Sequence, residues 1–326
     1  MRKHKCLALF SGGLDSMLAV AFMKKLGYEV QPIFFSTPFF GPEKAVNAAK
    51  EVGSELLIHD ITDVHIKMIE NPKYGFGKFM NPCIDCHGLM FREAGKLMKE
   101  LNADFLISGE VLGQRPMSQR KDSMNSVGKL SLVKELLVRP LSQKLLADTL
   151  PVREGWVVKE EMLDIQGRNR KRQMQMAKDF GIKEYATPGG GCLLTDAGFS
   201  RKLKDLSELG LMKAEYIKFL RFGRHLRFND EVKVILGRNN DENEMLTTLA
   251  EDEIVLKTLN CKGPVGVISS TREPTMEEIK LAASALMRYV NSSDKPEEVG
   301  YGKKFVLENK IVSDKMLDEE IKKYLI

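Results

Sequence analysis

The chain has 326 residues, 43% hydrophobic and 29% charged, with a formal net charge of +5. At roughly 150 residues per domain this is about two domains, and the composition excludes a disordered chain, a collagen-like repeat and a disulfide scaffold. Five cysteines, Cys6, Cys83, Cys86, Cys192 and Cys261, are odd in number and sparse; this points to a reducing, cytoplasmic compartment, while the mild positive charge permits an anionic partner without requiring one.

Taken in order, the elements begin with Met1–Phe10, where Arg2, Lys3 and Lys5 precede an apolar run as in a signal peptide. The run Cys6–Phe10 is too short for one and meets Ser11-Gly12-Gly13 without a cleavage site, so it reads as a first strand. No stretch reaches the roughly 18–20 apolar residues of a membrane helix, and no membrane partner is expected. Asp15–Leu26 reads as a helix, Glu29–Phe35 as a strand, Pro42–Val52 as a helix and Glu55–Asp60 as a strand. Gly88–Leu101 follows as a helix, Phe105–Ser108 and Leu136–Arg139 as strands. This alternation predicts an α/β fold with a mostly parallel sheet. It stops near Pro151–Trp156; helices follow at Arg168–Phe180, Phe199–Glu208 and Met212–Leu220. From about Leu226 a smaller α+β unit is expected, with strands Val232–Leu236, Ile254–Thr258 and Val265–Ser269 and a helix at Thr275–Val290. The expected domains are 1–205 and 206–326, with linker candidates at Thr187–Gly191 and Ser292–Glu298.

Ser11-Gly-Gly-Leu-Asp-Ser16 lies between the first strand and the first helix. Two glycines let backbone N–H groups close on an anion, the helix adds its positive end, and Ser11 and Ser16 add hydroxyls. Asp15 would repel a phosphate, so it is expected to cap the helix or face a bound Mg2+. A Gly-Lys-Ser/Thr is missing, which excludes the P-loop of kinases and GTPases. The plainer reading is a glycine-rich turn with a capping residue.

Ser11–Ser16 resembles the PP-loop of the ATP pyrophosphatases, an adenine nucleotide alpha hydrolase-like, Rossmann-like fold. Gly109-Glu-Val-Leu-Gly-Gln-Arg-Pro-Met-Ser-Gln119 is similar to the Gly-Glu-Ser-Leu-Gly-Gln-Val-Ala-Ser-Gln block of tRNA 4-thiouridine synthases (the ThiI-like group), and Val138-Arg-Pro-Leu141 matches the Arg-Pro-Leu that follows there. The resemblance spans roughly residues 5–150. It implies that Leu9 and Phe10 lead into a loop whose Ser11, Gly12, Gly13, Asp15 and Ser16 hold ATP. It implies further that Phe34 and Phe35 lie against adenine, and that Arg92, Gly109 and Gln119 complete the nucleotide site. Because the chain begins at the PP-loop, neither a THUMP domain nor a terminal rhodanese-like domain is expected in it.

Asn81-Pro-Cys-Ile-Asp-Cys-His87 sets two thiols at Cys-x-x-Cys spacing just before a helix, where the dipole lowers a thiol pKa. Cys192 follows three glycines. Three thiolates, Cys83, Cys86 and Cys192, could hold a 4Fe-4S cluster with one iron open. This order resembles the iron–sulfur tRNA thiolation enzymes of the PP-loop class. The alternatives are a persulfide on Cys83 or Cys192 resolved by disulfide formation, Zn2+ on the three cysteines with His87, and inert buried thiols. Cys6 and Cys261 read as packing residues, and His59 and His65 as ordinary ones.

Two segments suggest RNA contact: Gly167-Arg-Asn-Arg-Lys-Arg172, and Lys218–Phe228, where Arg221, Arg224 and Arg227 alternate with Phe219, Phe222 and Phe228. The competing reading is a solvated charged face over a phenylalanine core. Val232–Leu246, with Gly237-Arg238-Asn239, is similar to the NFACT RNA-binding domain, although Val255 and Lys257 stand where that family has Trp and His. The leading expectation is a cytoplasmic, ATP- and Mg2+-dependent tRNA sulfurtransferase in which Asp15, Cys83 and Cys192 do the chemistry. Its expected partners are tRNA and a sulfur donor (a persulfide carrier or sulfide), and it has room for a homodimer. The alternatives are a PP-loop ligase or sulfur-inserting enzyme on a small molecule, and a non-catalytic nucleotide-regulated RNA-binding protein.

Overall fold

The computed structural model describes residues 4–185, 192–290, 295–304 and 306–326. Its contacts divide the chain into two units, Met1–Asp196 and Ala197–Ile326. The expected division at 205/206 falls inside a helix, Ala197–Glu208.

The first unit runs β1 (Lys5–Leu9), α1 (Leu14–Lys25), β2 (Glu29–Ser36), α2 (Glu43–Glu51), β3 (Leu57–Asp60), α3 (Thr62–Glu70) and α4 (Cys83–Glu100). It continues with β4 (Phe105–Ser108), α5 (Lys121–Ser131), β5 (Leu137–Val138), α6 (Leu150–Arg153) and α7 (Lys171–Asp179). The five strands are all parallel, in the order β3-β2-β1-β4-β5. Successive strand residues point to opposite faces, and two cores follow from that. Cys6, Ala8, Phe34, Phe105, Ile107 and Val138 pack with α1, α2 and α7. Leu7, Ile33, Phe35, Leu106 and Leu137 pack with α4 and α5. Apolar residues on both faces are why these strands read as continuous apolar runs. The chain leaves β1 toward β2 and returns later to β4 on the other side of β1. The carboxyl ends of β1 and β4 therefore flank the switch point where open α/β sheets bind ligands.

The second unit holds α8 (Ala197–Glu208), α9 (Ala214–Ile217), β6 (Arg224–Arg227), β7 (Val232–Leu236), α10 (Asn240–Leu249) and β8 (Ile254–Thr258). It closes with β9 (Val265–Ser270), α11 (Met276–Met287), β10 (Glu297–Lys303), β11 (Asn309–Ser313) and α12 (Asp318–Ile321). Its six strands are antiparallel, in the order β11-β10-β8-β9-β7-β6. Val232, Val234, Leu256 and Ile268 pack on α11, while Ile235, Val255 and Val267 face Phe219 and Leu246. Helix α11 opens with a capping box, in which Glu278 N donates to Thr275 Oγ1 at 3.2 Å and Thr275 N donates to Glu278 Oε2 at 2.8 Å.

Several expectations change. Helices α3, α5, α6, α10 and α12, and strands β6, β10 and β11, have no counterpart in the sequence reading. Ser292–Glu298 does not link domains: Glu297 and Glu298 begin β10, which pairs with β8 inside the second unit. The other linker candidate, Thr187–Gly191, lies outside the described residues. Among the described residues no helix is long and apolar enough to cross a membrane.

Candidate active site

The chain leaves β1 at Leu9 and enters α1 at Leu14 through the expected loop. Gly12 sits at φ +75°, and a Cβ there would lie 2.8 Å from Ala45 Cα and 2.9 Å from Lys44 O at the start of α2. Only glycine tolerates both the angle and the approach. Gly13 is the N-cap of α1, with no side-chain cap. Gly13 N donates to Ser11 Oγ (3.3 Å) and Ser16 Oγ donates to Gly13 O (2.7 Å). The first turn thus offers N–H groups and the positive dipole end to an anion. Gly109, just past β4, presses on the same turn: a Cβ there would lie 2.5 Å from Asp15 C, Asp15 O and Ser16 N.

Asp15 does not cap the helix. Its Oδ2 accepts from Gln114 Nε2 at 2.5 Å, and its Oδ1 is buried without a hydrogen-bond partner. Gln114 in turn accepts from Gln173 Nε2 at 2.9 Å. Burial pushes the Asp15 carboxyl pKa up, against the opposing pull of Gln114, Arg170, Arg115 and Gln173. Gln119 Oε1, Gln173 Oε1 and Arg170 Nε are likewise buried and unpartnered. Buried polar atoms are normally hydrogen-bonded, so these orphans mark groups arranged for a ligand. A lone carboxylate oxygen suits a hard cation such as Mg2+. Gln114, Arg170 and Gln173 were not singled out for this site from the sequence. Their only sequence signals are the glutamine in the Gly109–Gln119 block and the basic run at 168–172, which by itself suggests RNA contact.

The adenine expectation divides. Phe34 faces the α1 core, edge-on to Phe40 with ring centroids 6.3 Å apart, while Phe35 faces the α4 core. Neighbours on a strand cannot share one face, so both rings cannot line one pocket. Leu9 and Phe10 divide in the same way between the two cores. Arg92 is exposed on α4, with Glu93 Oε1 at 3.7 Å from its Nε.

Cys83 and Cys86 lie inside the first turns of α4 rather than before it. Burial raises both thiol pKa values, where the helix start was expected to lower them. On Cys83, Asn81 and Arg115 oppose burial. On Cys86, burial is reinforced first by Cys192 and then by Cys83 and Asp85. Cys86 is thus within electrostatic reach of both Cys83 and Cys192, and Cys192 is exposed. Even so, among the described residues no group of three His, Cys, Asp or Glu side chains is arranged to hold a metal ion. His65 is not ordinary: it is fully buried with Nε2 3.3 Å from Cys86 Sγ, and burial lowers its pKa to about 4. His59 stays at the sheet edge, edge-on to Phe35. His87 turns to Glu110, its Nδ1 3.1 Å from Oε1, and Arg139 Nε donates to Glu110 Oε2 at 2.7 Å. Burial opposes the charge on Glu110, but Arg139 and His87 prevail and hold its pKa down to about 2. Cys6 is a core residue, and Cys261 packs beside the second unit's core.

The Arg115 charge opposes, less strongly than burial acts, the raised pKa values of both Asp15 and Cys83. The basic run at 168–172 splits: Arg170 belongs to the Asp15 environment, Arg172 pairs with Asp164, and Arg168 and Lys171 are exposed. The arginine stripe of the second unit splits too, because β6 places Arg224 and Arg227 on opposite faces. Arg227 is bound bidentately by Asp205, at 2.9 and 2.6 Å, and Phe219 is core.

Residues 2–143 match the family model described as Thiamine biosynthesis protein (ThiI), and residues 223–325 match the one described as NFACT protein RNA binding domain. A tRNA-specific 2-thiouridylase MnmA of Sulfurimonas denitrificans is 31% identical over 118 residues, covering 33% of this chain and 35% of the relative. A probable tRNA sulfurtransferase of Methanosarcina mazei is 31% identical over 117 residues, covering 34% and 29%. The chain spans about a third of the length of the curated relatives it matches. Among solved structures, a 4-thiouridine synthetase–RNA complex with bound ATP is similar over 55% of this chain and 52% of that one, at 22% identity and a TM-score of 0.35.

Proposed function

We propose that this protein is an ATP-dependent tRNA sulfurtransferase that thiolates uridine through an adenylated intermediate. The observation that supports it most is the phosphate loop, where Gly12 closes on Ala45 and Asp15 keeps a buried carboxylate oxygen without a partner, inside the segment that matches the ThiI family model. In this scheme the phosphate loop and the thiol group serve one substrate. A uracil carbonyl oxygen is a poor leaving group. Its attack on the α-phosphate of ATP forms a uridine adenylate and releases pyrophosphate. The uncapped start of α1, Ser11, Ser16 and Arg170 hold the phosphates. Mg2+, when bound at Asp15 Oδ1, supplies charge neutralisation.

In this scheme the cysteines themselves carry the sulfur. Exposed Cys192 takes a sulfane sulfur from a persulfide carrier. Its terminal sulfur attacks the activated carbon, and AMP leaves with the former carbonyl oxygen. The Cys86 thiol, passing its proton to the neutral His65 imidazole whose Nε2 lies 3.3 Å from its Sγ, then attacks Cys192 Sγ. This releases the thiocarbonyl and leaves a disulfide for an external dithiol to reduce. The target uridine has to leave its stack to reach the site.

The test compares thiolated nucleosides in tRNA from cells with and without the gene. It is paired with AMP, pyrophosphate and thiouridine formation by the purified chain with tRNA, ATP and a persulfide donor. Loss of one thiouridine from the deleted strain, and AMP formed only with tRNA, is the expected result. Unchanged nucleosides overturn the proposal.

A further inference from the structure

The second unit contains a cavity of about 510 Å³ that the scheme above leaves unused. Its wall gathers four cations from separate parts of the unit: Arg224 of β6, Arg238 after β7, Lys262 between β8 and β9, and Arg288 after α11. Arg238 is ion-paired with Glu242, and Arg288 with Asp318. Lys262 stands exposed, and the Arg224 guanidinium lies over the Tyr289 ring, 4.3 Å from its centroid. Asn243 has its Oδ1 fixed by Val265 N at 2.9 Å, which leaves its amide nitrogen as the donor end.

Small anions need far less room. A volume of this order falls within the roughly 300–1,000 Å³ of small-molecule pockets. Cationic side chains with a planar guanidinium–aromatic stack provide what a nucleotide needs, a counter-charge for phosphate and a flat surface for a base. We propose that this cavity seats one nucleotide of single-stranded RNA, with its phosphate against Lys262 and Arg224 and its base beside the Arg224–Tyr289 stack. The inference rests on the reading that the protein acts on tRNA. It also explains why only part of the arginine stripe is free for RNA: Arg224 faces the cavity, whereas Arg227 is committed to Asp205.

The test measures binding of fluorescein-labelled decauridylate and of a tRNA transcript to the full chain, over a range of KCl. Lys262→Ala and Lys262→Glu alter only an exposed side chain; the double variant Arg224→Ala/Lys262→Ala removes both cations. We expect the double variant to weaken decauridylate binding about tenfold, and the slope of log affinity against log salt to fall by about 0.7, the value for one lost phosphate contact on a single strand. Lys262→Glu should weaken binding more than Lys262→Ala, and ATP binding should not change. Wild-type affinity and slope in all three variants overturn the cavity assignment. So does displacement of decauridylate by inorganic phosphate at the same phosphate concentration, which would make the cavity a small-anion site. If the variants bind RNA normally while tRNA thiolation is intact, only this inference fails. If the wild-type chain neither binds RNA nor thiolates it, the proposed function fails as well.

Discussion

The phosphate loop and the thiol group share one unit but are built in opposite ways. The loop is main chain: Gly12 at φ +75° against Ala45, Gly109 against Asp15 and Ser16, and an uncapped helix start. Its shape is fixed by what cannot be added to it. The thiol group is assembled from side chains distant in sequence, with Cys83 and Cys86 on α4, Cys192 beyond α7 and His65 on α3. Its chemistry is fixed by burial, which keeps Cys83 and Cys86 protonated and His65 neutral. An anion site needs rigid donors, whereas a sulfur-carrying site benefits from thiols that stay quiet until a reaction partner arrives.

The sharpest way to break this contrast is to disable each half separately. Asp15→Ala should abolish pyrophosphate release, by at least about 100-fold given the usual worth of a preorganised electrostatic group, while circular dichroism shows an intact fold. Retained AMP formation would remove Asp15 from the chemistry. Cys86→Ser should leave AMP formation within about twofold and abolish thiouridine formation, since only the resolving step needs that sulfur. If Cys86→Ser stopped AMP formation too, the two halves would not be separable.

How much of this was legible in the sequence follows from the same contrast. Residues Phe105–Ser108 are a strand as read, and α1 and α2 lie within a residue of their expected ends, because apolar period and Gly/Pro punctuation are local. Ser11–Ser16 was legible for the same reason. Helix α5 was not: its sequence Lys-Asp-Ser-Met-Asn-Ser-Val-Gly is polar and interrupted by Gly128, so packing on α4 rather than propensity makes it helical. Nothing local announces that Gln114 bonds Asp15, or that His65 reaches Cys86. The direction of the thiol shifts was misread because a helix dipole can be inferred from sequence and burial cannot. The arginine stripe divides because only Arg224 and Arg227 lie on β6, where a spacing of three sets them on opposite faces.

His65 gives a smaller effect that tests the burial half of the argument. Its folded-state pKa, about 4, lies below the ordinary 6.5. Between those values the unfolded chain binds a proton that the folded chain refuses. Stability therefore falls as pH drops from about 6.5 to about 4 and is fully present above 6.5. A shift of this size corresponds to about 3 kcal/mol. His65→Phe should flatten that part of the stability profile in urea unfolding at pH 7.5 and 4.5. An unchanged profile would mean that His65 is not held neutral by its surroundings.

The smallest effect is the most discriminating for the loop. Gln114 donates to Asp15 Oδ2 and is itself held by Gln173, so it fixes which carboxylate oxygen is left for a ligand. Burial already raises the Asp15 pKa, and the Gln114 hydrogen bond opposes that rise. Gln114→Ala should therefore raise it further, so that the carboxylate is lost at a higher pH. A hydrogen bond to a charged group is worth about 1.5 kcal/mol at the low end, or about tenfold. The expected result is a pyrophosphate release rate down about tenfold near neutral pH, with the acid limb of the pH–rate profile moved upward. Gln173→Ala should move the limb in the same direction by less, because it acts through Gln114. A rate loss with an unmoved acid limb would show that Gln114 merely fills space, and Asp15 would then be oriented by the backbone alone.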